Sequence, residues 1–368
     1  MIMRQRQHAT RVRCPRRPRP LADEDGAGRD DRVGVQTSRR TRLRCGTAAL
    51  ILAVLVAACG DGSGNDGSPS SHTGAREPQP PFAVGSETVT LVDPTRGTPA
   101  WNEVPAASTR TIETLVLYPA RGEPAGAAVP GAPPAAAGPY PVVVFLHGAG
   151  LSGEDYQRAI EPWAEAGYIV VAPTAPLGGL GLQQSAAARV ADAPNHPQDV
   201  RFALAEVPDA IDAAIRAIAD FDRVAVVGKS LGAGTALAVA FDPCCTNDVI
   251  RGVVAMAGLV SPLVTSDTAM PTLVVHGDAD EIVPYSDGRT TFDAAPEPKF
   301  FLTLFGTTHA PTLAIEPAGP TDDAVIATTT DFFDRYLKSD EAALDRMSRH
   351  GNVTGVARLE SIPKSAPR

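Results

Sequence analysis

The stretch "VAVVGKSLGAG", Val224–Gly234, admits two readings. "GKS" is the core of a phosphate-binding loop, and "GKSLG" is a G-x-S-x-G nucleophile elbow. A phosphate loop needs G-x-x-x-x-G-K-[ST], so that successive backbone N–H groups wrap the phosphates. The first glycine would fall at position 223, which is Arg223, and apolar strand residues run right up to Gly228. The flexible loop is missing. An elbow needs a strand, a tight turn with small residues two places either side of the serine, and a helix. Here "RVAVV" precedes, Gly228 and Gly232 flank, and "LGAGTALAVAF" follows. The stretch therefore predicts Ser230 as a nucleophile at a strand-to-helix turn. Lys229 in the variable slot reads as a solvated surface cation.

A serine hydroxyl is a weak nucleophile without a base, and the base needs an orienting carboxylate. In elbow proteins the chain order is serine, acid, histidine. Three histidines follow Ser230: His276 in "LVVHGDADEIVP", His309 in "LFGTTHA", and His350 near the C-terminus. His309 lies just after a strand-like run, where a base is expected. Asp280 in "HGDADEIVP" is the expected acid. Asp278 reads as a turn residue bonding nearby N–H groups, and His276 as a packed strand-end residue. The oxyanion of an acyl-transfer intermediate needs two donors. The expected pair is the N–H of Leu231, after the nucleophile, and that of Ala149 in "FLHGAG", with Gly148 or Gly150 as alternatives. Leu151, Tyr156 and Trp163 suit either an acyl pocket or the core.

Around these motifs the pattern is strand–helix alternation. Eight strand candidates occur: "ETVTLV", "TIETLVLY", "PVVVFLH", "YIVVAP", "RVAVVG", "GVVAMAG", "TLVVHG" and "KFFLTLF". Several are continuously apolar, as in a parallel sheet covered on both faces. Helices are predicted over Glu154–Ala166, Asp199–Ala219, Ser230–Phe241 and Asp322–Leu337. The second carries Val200, Ala203, Leu204, Val207, Ile211, Ile215 and Ile218 near one face. Between the sixth and seventh strands the chain is too short for a large cap, although Thr174–His196 offers cover on one side.

Together these residues resemble the α/β-hydrolase superfamily over 82–338. The resemblance implies an α/β-hydrolase fold: a mostly parallel eight-stranded sheet, helices on both faces and no large cap domain. Closer in, "TLVDPTRG", "STRTIETLVLYPA" and "NHPQDVRFAL" look like bacterial esterases related to platelet-activating-factor acetylhydrolase, dienelactone hydrolase and cutinase-like polyester hydrolases. Dienelactone hydrolases use a cysteine nucleophile, and Ser230 stands in its place here. The resemblance implies hydrolysis of a small-molecule or lipid carboxylic ester through a serine acyl-enzyme, the chemistry the residues already indicate. No cofactor is implied: metal-ligand spacing and a dinucleotide fingerprint are both missing from the sequence. An acyltransferase with the same triad, or a non-catalytic surface-anchored binding protein on a hydrolase scaffold, are the rival readings.

The two ends of the chain differ in charge. The first 44 residues hold 13 arginines against five acidic residues, whereas the whole chain of 368 carries a net charge of −9. An acidic body argues against nucleic-acid binding, which needs cations to neutralise phosphates, and no protein partner is evident. The basic lead runs into "GTAALILAVLVAAC", Gly46–Cys59, an apolar run too short to span a bilayer as a helix. It fits a signal peptide, and "VAAC" before Gly60 resembles a bacterial lipobox. The expectation is export, with Cys59 lipidated and anchored at a membrane surface, or plain secretion. Domain boundaries follow: leader and signal at 1–58, a Gly/Ser/Pro-rich tether at 59–81, the catalytic domain at 82–338, and a C-terminal helix and polar tail at 339–368. Cys244 and Cys245 read equally as a vicinal disulfide or as two buried thiols.

Overall fold

The continuously apolar runs form the middle of one sheet. The computed structural model describes residues 81–363 except 102–103, 125, 137, 180–185, 260, 262–263, 265–268 and 310–317. The expected leader, the lipidation at Cys59 and nearly all of the tether lie outside the described residues. Ten strands are present among them: β1 (Ala83–Asp93), β2 (Arg110–Ala120), β3 (Val129–Pro130), β4 (Tyr140–Leu146), β5 (Ile169–Thr174), β6 (Ala219–Lys229), β7 (Ile250–Met256), β8 (Thr272–Gly277), β9 (Lys299–Leu304) and β10 (Ala357–Ile362). Their spatial order is β10-β9-β8-β7-β6-β4-β5-β2-β1-β3. From β9 across to β5 every neighbour is parallel, and β2 and β10 run antiparallel at the two flanks.

The helices are α1 (Gln157–Glu165), α2 (Ala186–Ala191), α3 (His196–Ala210), α4 (Ala213–Arg216), α5 (Leu231–Phe241), α6 (Tyr285–Ala294), α7 (Pro320–Leu337) and α8 (Ala343–His350). Side chains of β4 show why the sheet is apolar on both faces. Val142, Val144 and Leu146 pack with Val200 and Val207 of α3 and Ala236 and Leu237 of α5. Val143 and Phe145 point the other way, towards Ile160 and Trp163 of α1 and Phe332 and Phe333 of α7. The strand alternates between two cores, and full burial of each such side chain is worth about 1.5–3 kcal/mol. Trp163 is core rather than pocket lining: its Nε1–H donates to Thr329 Oγ1 at 3.1 Å within that second core.

All eight predicted strands are present, and two more join them. β3 is a two-residue pairing to β1. β10 comes from the segment expected to be a polar tail, and it pairs with β9 from Ala357–Leu304 to Ile362–Lys299. Its sequence "ARLESI" carries Arg358 and Glu360, and charge on an outermost strand guards against pairing with other chains. The same charges make it read as a tail. The predicted helix over Asp199–Ala219 is also divided. Ile211 turns extended at ψ 161°, Asp212 Oδ1 accepts the Ala214 N–H at 2.7 Å to cap α4, and β6 begins at Ala219. Helix α6 carries Gly288, Ser286 and β-branched residues, so propensity concealed it. Gly288 is needed there because any Cβ would collide with the His276 ring.

The segments resembling bacterial esterases converge on one buried ion network. Arg110 on β2 is fully buried and bonds both Asp199 of α3 and Asp192 just before it. Arg96, held by Asp93 in the turn after β1, reaches Asp199 at 2.8 Å. Burial pushes Arg110 towards the neutral form, but the two aspartates outweigh it and raise its pKa. The network ties the β1–β2 hairpin to α3 across about 100 residues of chain. After α5, Cys244 and Cys245 form a vicinal disulfide, resolving one of the two open readings.

Candidate active site

Ser230 stands between the end of β6 at Lys229 and the start of α5 at Leu231. Its backbone sits at φ 55°, ψ −115°, a conformation that costs a non-glycine residue about 1–3 kcal/mol. Three features hold it there. The Ser230 N–H donates to Met256 O of the neighbouring β7 at 2.8 Å. A Cβ at Gly228 would strike the Gly232 carbonyl, and one at Gly232 would strike the Leu146 carbonyl at the end of β4. The two flanking glycines are thus required by backbone-to-backbone approach, as the sequence reading supposed.

The loop after β8 brings Asp280 to the elbow, and the loop after β9 brings His309. His309 Nε2 lies 2.9 Å from Ser230 Oγ, and His309 Nδ1 lies 2.7 Å from Asp280 Oδ2. A carboxylate only accepts, so Nδ1 carries the proton and Nε2 is free to take one from the serine. Asp280 is held in turn: its Oδ1 accepts the N–H groups of Ile282 at 3.0 Å and Val283 at 2.7 Å. Burial raises the Asp280 pKa, but His309 and these N–H donors outweigh it and leave the carboxyl below its usual range. Asp278 points elsewhere, and its Oδ1 accepts the Gly306 N–H at 2.6 Å, binding the loop after β9. His276 donates through Nε2 to the Val283 carbonyl at 3.0 Å and is neutral, its pKa lowered chiefly by burial. His350 lies on α8, paired with Asp331.

The turn after β4 lies over Ser230. A Cβ on Gly148 would come 3.7 Å from Ser230 Cβ. Within that turn Gly150 donates to Gly178 O at 2.7 Å, Leu151 donates to Gly148 O at 3.2 Å, and the Gly148 backbone bonds the Tyr156 hydroxyl. Ala149 N–H has no acceptor among the described residues, and neither has Leu231 N–H at the first position of α5. First-turn amides of a helix have no intrahelical partner. His147 shapes the turn: Nε2 accepts the Ala175 N–H at 3.1 Å, so Nδ1 carries hydrogen and donates to the Gly148 carbonyl at 2.9 Å. Burial lowers its pKa and keeps it neutral.

Lys229 corrects the sequence reading. It is 7% exposed rather than solvated, and its ammonium lies 3.5 Å from the His309 carbonyl. Burial pulls its pKa down from 10.5 to about 8, against the opposing pull of Asp280 and Glu281. Its place directly after a doubly buried strand run was the available signal. Glu281, which the sequence reading passed over, accepts the His309 N–H through Oε2 at 3.1 Å. Nothing local marks it, since the contact spans 28 positions. Among the described residues no three His, Cys, Asp or Glu side chains gather to hold a metal ion.

The chlorophyllase family model matches residues 117–268, less than half of the chain. That span holds Ala149, Ser230 and Leu231 and ends before Asp280 and His309. Among solved structures the chain is similar to a ferulic acid esterase from Streptomyces cinnamoneus, with 21% identity and a TM-score of 0.57, covering 70% of this chain and 91% of that one. No curated protein matches the sequence significantly. The likeness to the solved structure establishes the architecture: the chain has an α/β-hydrolase fold. That fold matches 980 solved chains, so fold alone selects no substrate.

Proposed function

We propose that the protein is a serine carboxylic-ester hydrolase working through Ser230, His309 and Asp280. One observation carries this reading: the unbroken line of hydrogen bonds from Ser230 Oγ through His309 to Asp280, at 2.9 and 2.7 Å. The chlorophyllase match over the elbow and the likeness to a ferulic acid esterase support it. His309 Nε2 takes the Ser230 proton as Oγ bonds to the ester carbonyl carbon. The N–H groups of Leu231 and Ala149 receive the oxyanion. Collapse breaks the ester C–O bond, and His309 returns the proton to the departing alcohol. Water then attacks the acyl-enzyme with His309 again as base, and the carboxylic acid leaves. Asp280 keeps Nδ1 protonated and stabilises the imidazolium throughout.

The substrate is a small-molecule or lipid ester. Leu259 after β7 and Ile282 beside the acid are exposed apolar residues on loops that flank the triad, and they suit an apolar acyl or alcohol group. A series of p-nitrophenyl esters from acetate to laurate tests the reading. Turnover that vanishes in Ser230→Ala supports it, and no turnover of any ester by folded protein overturns it. Acyl transfer to an added alcohol in preference to water would make the protein an acyltransferase.

The lipobox-like "VAAC" leads us to propose export with lipidated Cys59 as the mature N-terminus. Mass spectrometry of cell-envelope protein should find diacylglycerol on Cys59. A mature chain starting elsewhere without lipid would mean ordinary secretion.

A further inference from the structure

His309 sits on a loop, and nothing in its own triad contacts fixes its backbone. Both of its peptide groups are nonetheless held by charged side chains from other elements. The N–H is taken by the Glu281 carboxylate at 3.1 Å, and the carbonyl faces the Lys229 ammonium at 3.5 Å. Glu281 is the neighbour of the acid, and Lys229 is the neighbour of the nucleophile. Each partner of His309 in the triad is therefore adjacent in sequence to a residue gripping the His309 main chain. We propose that Lys229 and Glu281 are positioning residues that hold His309 on the line between Ser230 and Asp280. The inference rests on the ester-hydrolase reading for its kinetic consequences, but not for its geometry.

The cost of burying Lys229 favours a dedicated role. A buried lysine is expensive to keep charged, and an apolar residue at the end of a central strand would be easier to accommodate. The 3.5 Å contact is long for a hydrogen bond, so its strength is chiefly that of a buried charge facing a carbonyl dipole. The ionisable groups around Lys229 are Asp280 and Glu281 after β8, His276 on β8 and His309 after β9. The two carboxylates favour the ammonium, and burial opposes it. Neutralising Lys229 weakens the hold on the His309 carbonyl, so catalysis should decline as pH rises through about 8. Folding stability should move the opposite way. The native lysine is neutral between about 8 and 10.5 while the unfolded one is still charged, so stability rises with pH across that window. A residue present only for stability would not set activity and stability in opposition.

The test uses the full chain carrying Lys229→Met, Lys229→Arg, Glu281→Ala and Glu281→Gln. Its two readouts are steady-state kinetics from pH 6 to 10 and the NMR signal of the His309 Nδ1 proton. Lys229→Met and Glu281→Ala should each lower kcat about tenfold, the scale of one lost charge-assisted contact. KM should stay within about twofold, because neither side chain is placed against substrate. Lys229→Met should lose the alkaline decline and keep or raise Tm at pH 7. Lys229→Arg should regain kcat and lose the decline, because arginine stays charged. Glu281→Gln keeps an acceptor for the His309 N–H and should stay within about threefold of wild type. The Nδ1 proton should exchange faster with solvent in Lys229→Met and Glu281→Ala. Unchanged kcat and unchanged proton exchange in both variants overturns the proposal. So does a kcat loss that tracks a fall in Tm and is not restored by Lys229→Arg or Glu281→Gln. Proton exchange is read without substrate, so that arm decides the positioning claim even if no ester is turned over.

Discussion

The two halves of the site are held in different ways. On the nucleophile side, backbone holds backbone: Gly228 faces the Gly232 carbonyl, Gly232 faces the Leu146 carbonyl, and Ser230 N–H bonds Met256 O. On the side of Asp280 and His309, charged side chains add to a backbone frame in which Asp278 N–H donates to Leu304 O and Ala279 N–H donates to Thr307 O. Asp280 fixes the N–H groups of Ile282 and Val283, Asp278 fixes Gly306, and Glu281 and Lys229 take the two peptide groups of His309. The first arrangement suits a residue whose strained φ must not relax. The second suits the role proposed for His309, which must accept and return a proton while staying aligned with two partners. Strain is thus kept in the strand-to-helix turn, and charge is used where a loop needs an anchor.

The sharpest way to break this division is to remove chemistry without touching either scaffold. Ser230→Ala deletes one hydroxyl and should lower kcat/KM for a p-nitrophenyl ester by about 10⁴-fold or more, with Tm unchanged or slightly raised as measured by thermal melting. Asp280→Asn should follow closely, at about 10⁴-fold in kcat, because an amide favours the wrong imidazole tautomer. The scaffold of the nucleophile side is probed by Gly232→Ala. A methyl group there meets the Leu146 carbonyl, and the expected loss is more than about 4 kcal/mol in urea unfolding. Asp278→Asn should do least. The Asn side chain can still accept the Gly306 N–H, and kcat should fall by less than about tenfold. If Asp278→Asn were instead the inactive variant, Asp278 would be the orienting carboxylate and the division drawn above would be wrong.

The same contrast explains what could be read from the chain. The elbow is written in five consecutive residues, because the backbone close approaches it makes, one of them to the distant Leu146 carbonyl, leave room only for glycine, and its glycines are visible as glycines. The eight strands were legible from apolar runs, and the H-G-x-x-D-x-x-V-P pattern singled out Asp280, the residue the structure sets against His309 while Asp278 turns to Gly306. Lys229 was misread because burial of its long side chain depends on loops that arrive 51 and 80 positions later, at Asp280 and His309. Glu281 was overlooked for the same reason. The edge strand β10 was concealed because Arg358 and Glu360 give it the composition of a tail. The division between α3 and α4 escaped because the apolar face runs on through Ile211 and Ile215, and only the Asp212 cap marks the break.

The proposed chemistry requires that Ser230 be activated by His309 under the control of Asp280. Its most direct test is labelling of the purified full chain with a fluorophosphonate, followed by peptide mapping. The expected result is one adduct, on Ser230, absent in Ser230→Ala, and formed far more slowly in Asp280→Asn than in Asp278→Asn. An adduct on another residue, equal labelling of the Ser230→Ala chain, or no adduct on folded wild-type protein would contradict it.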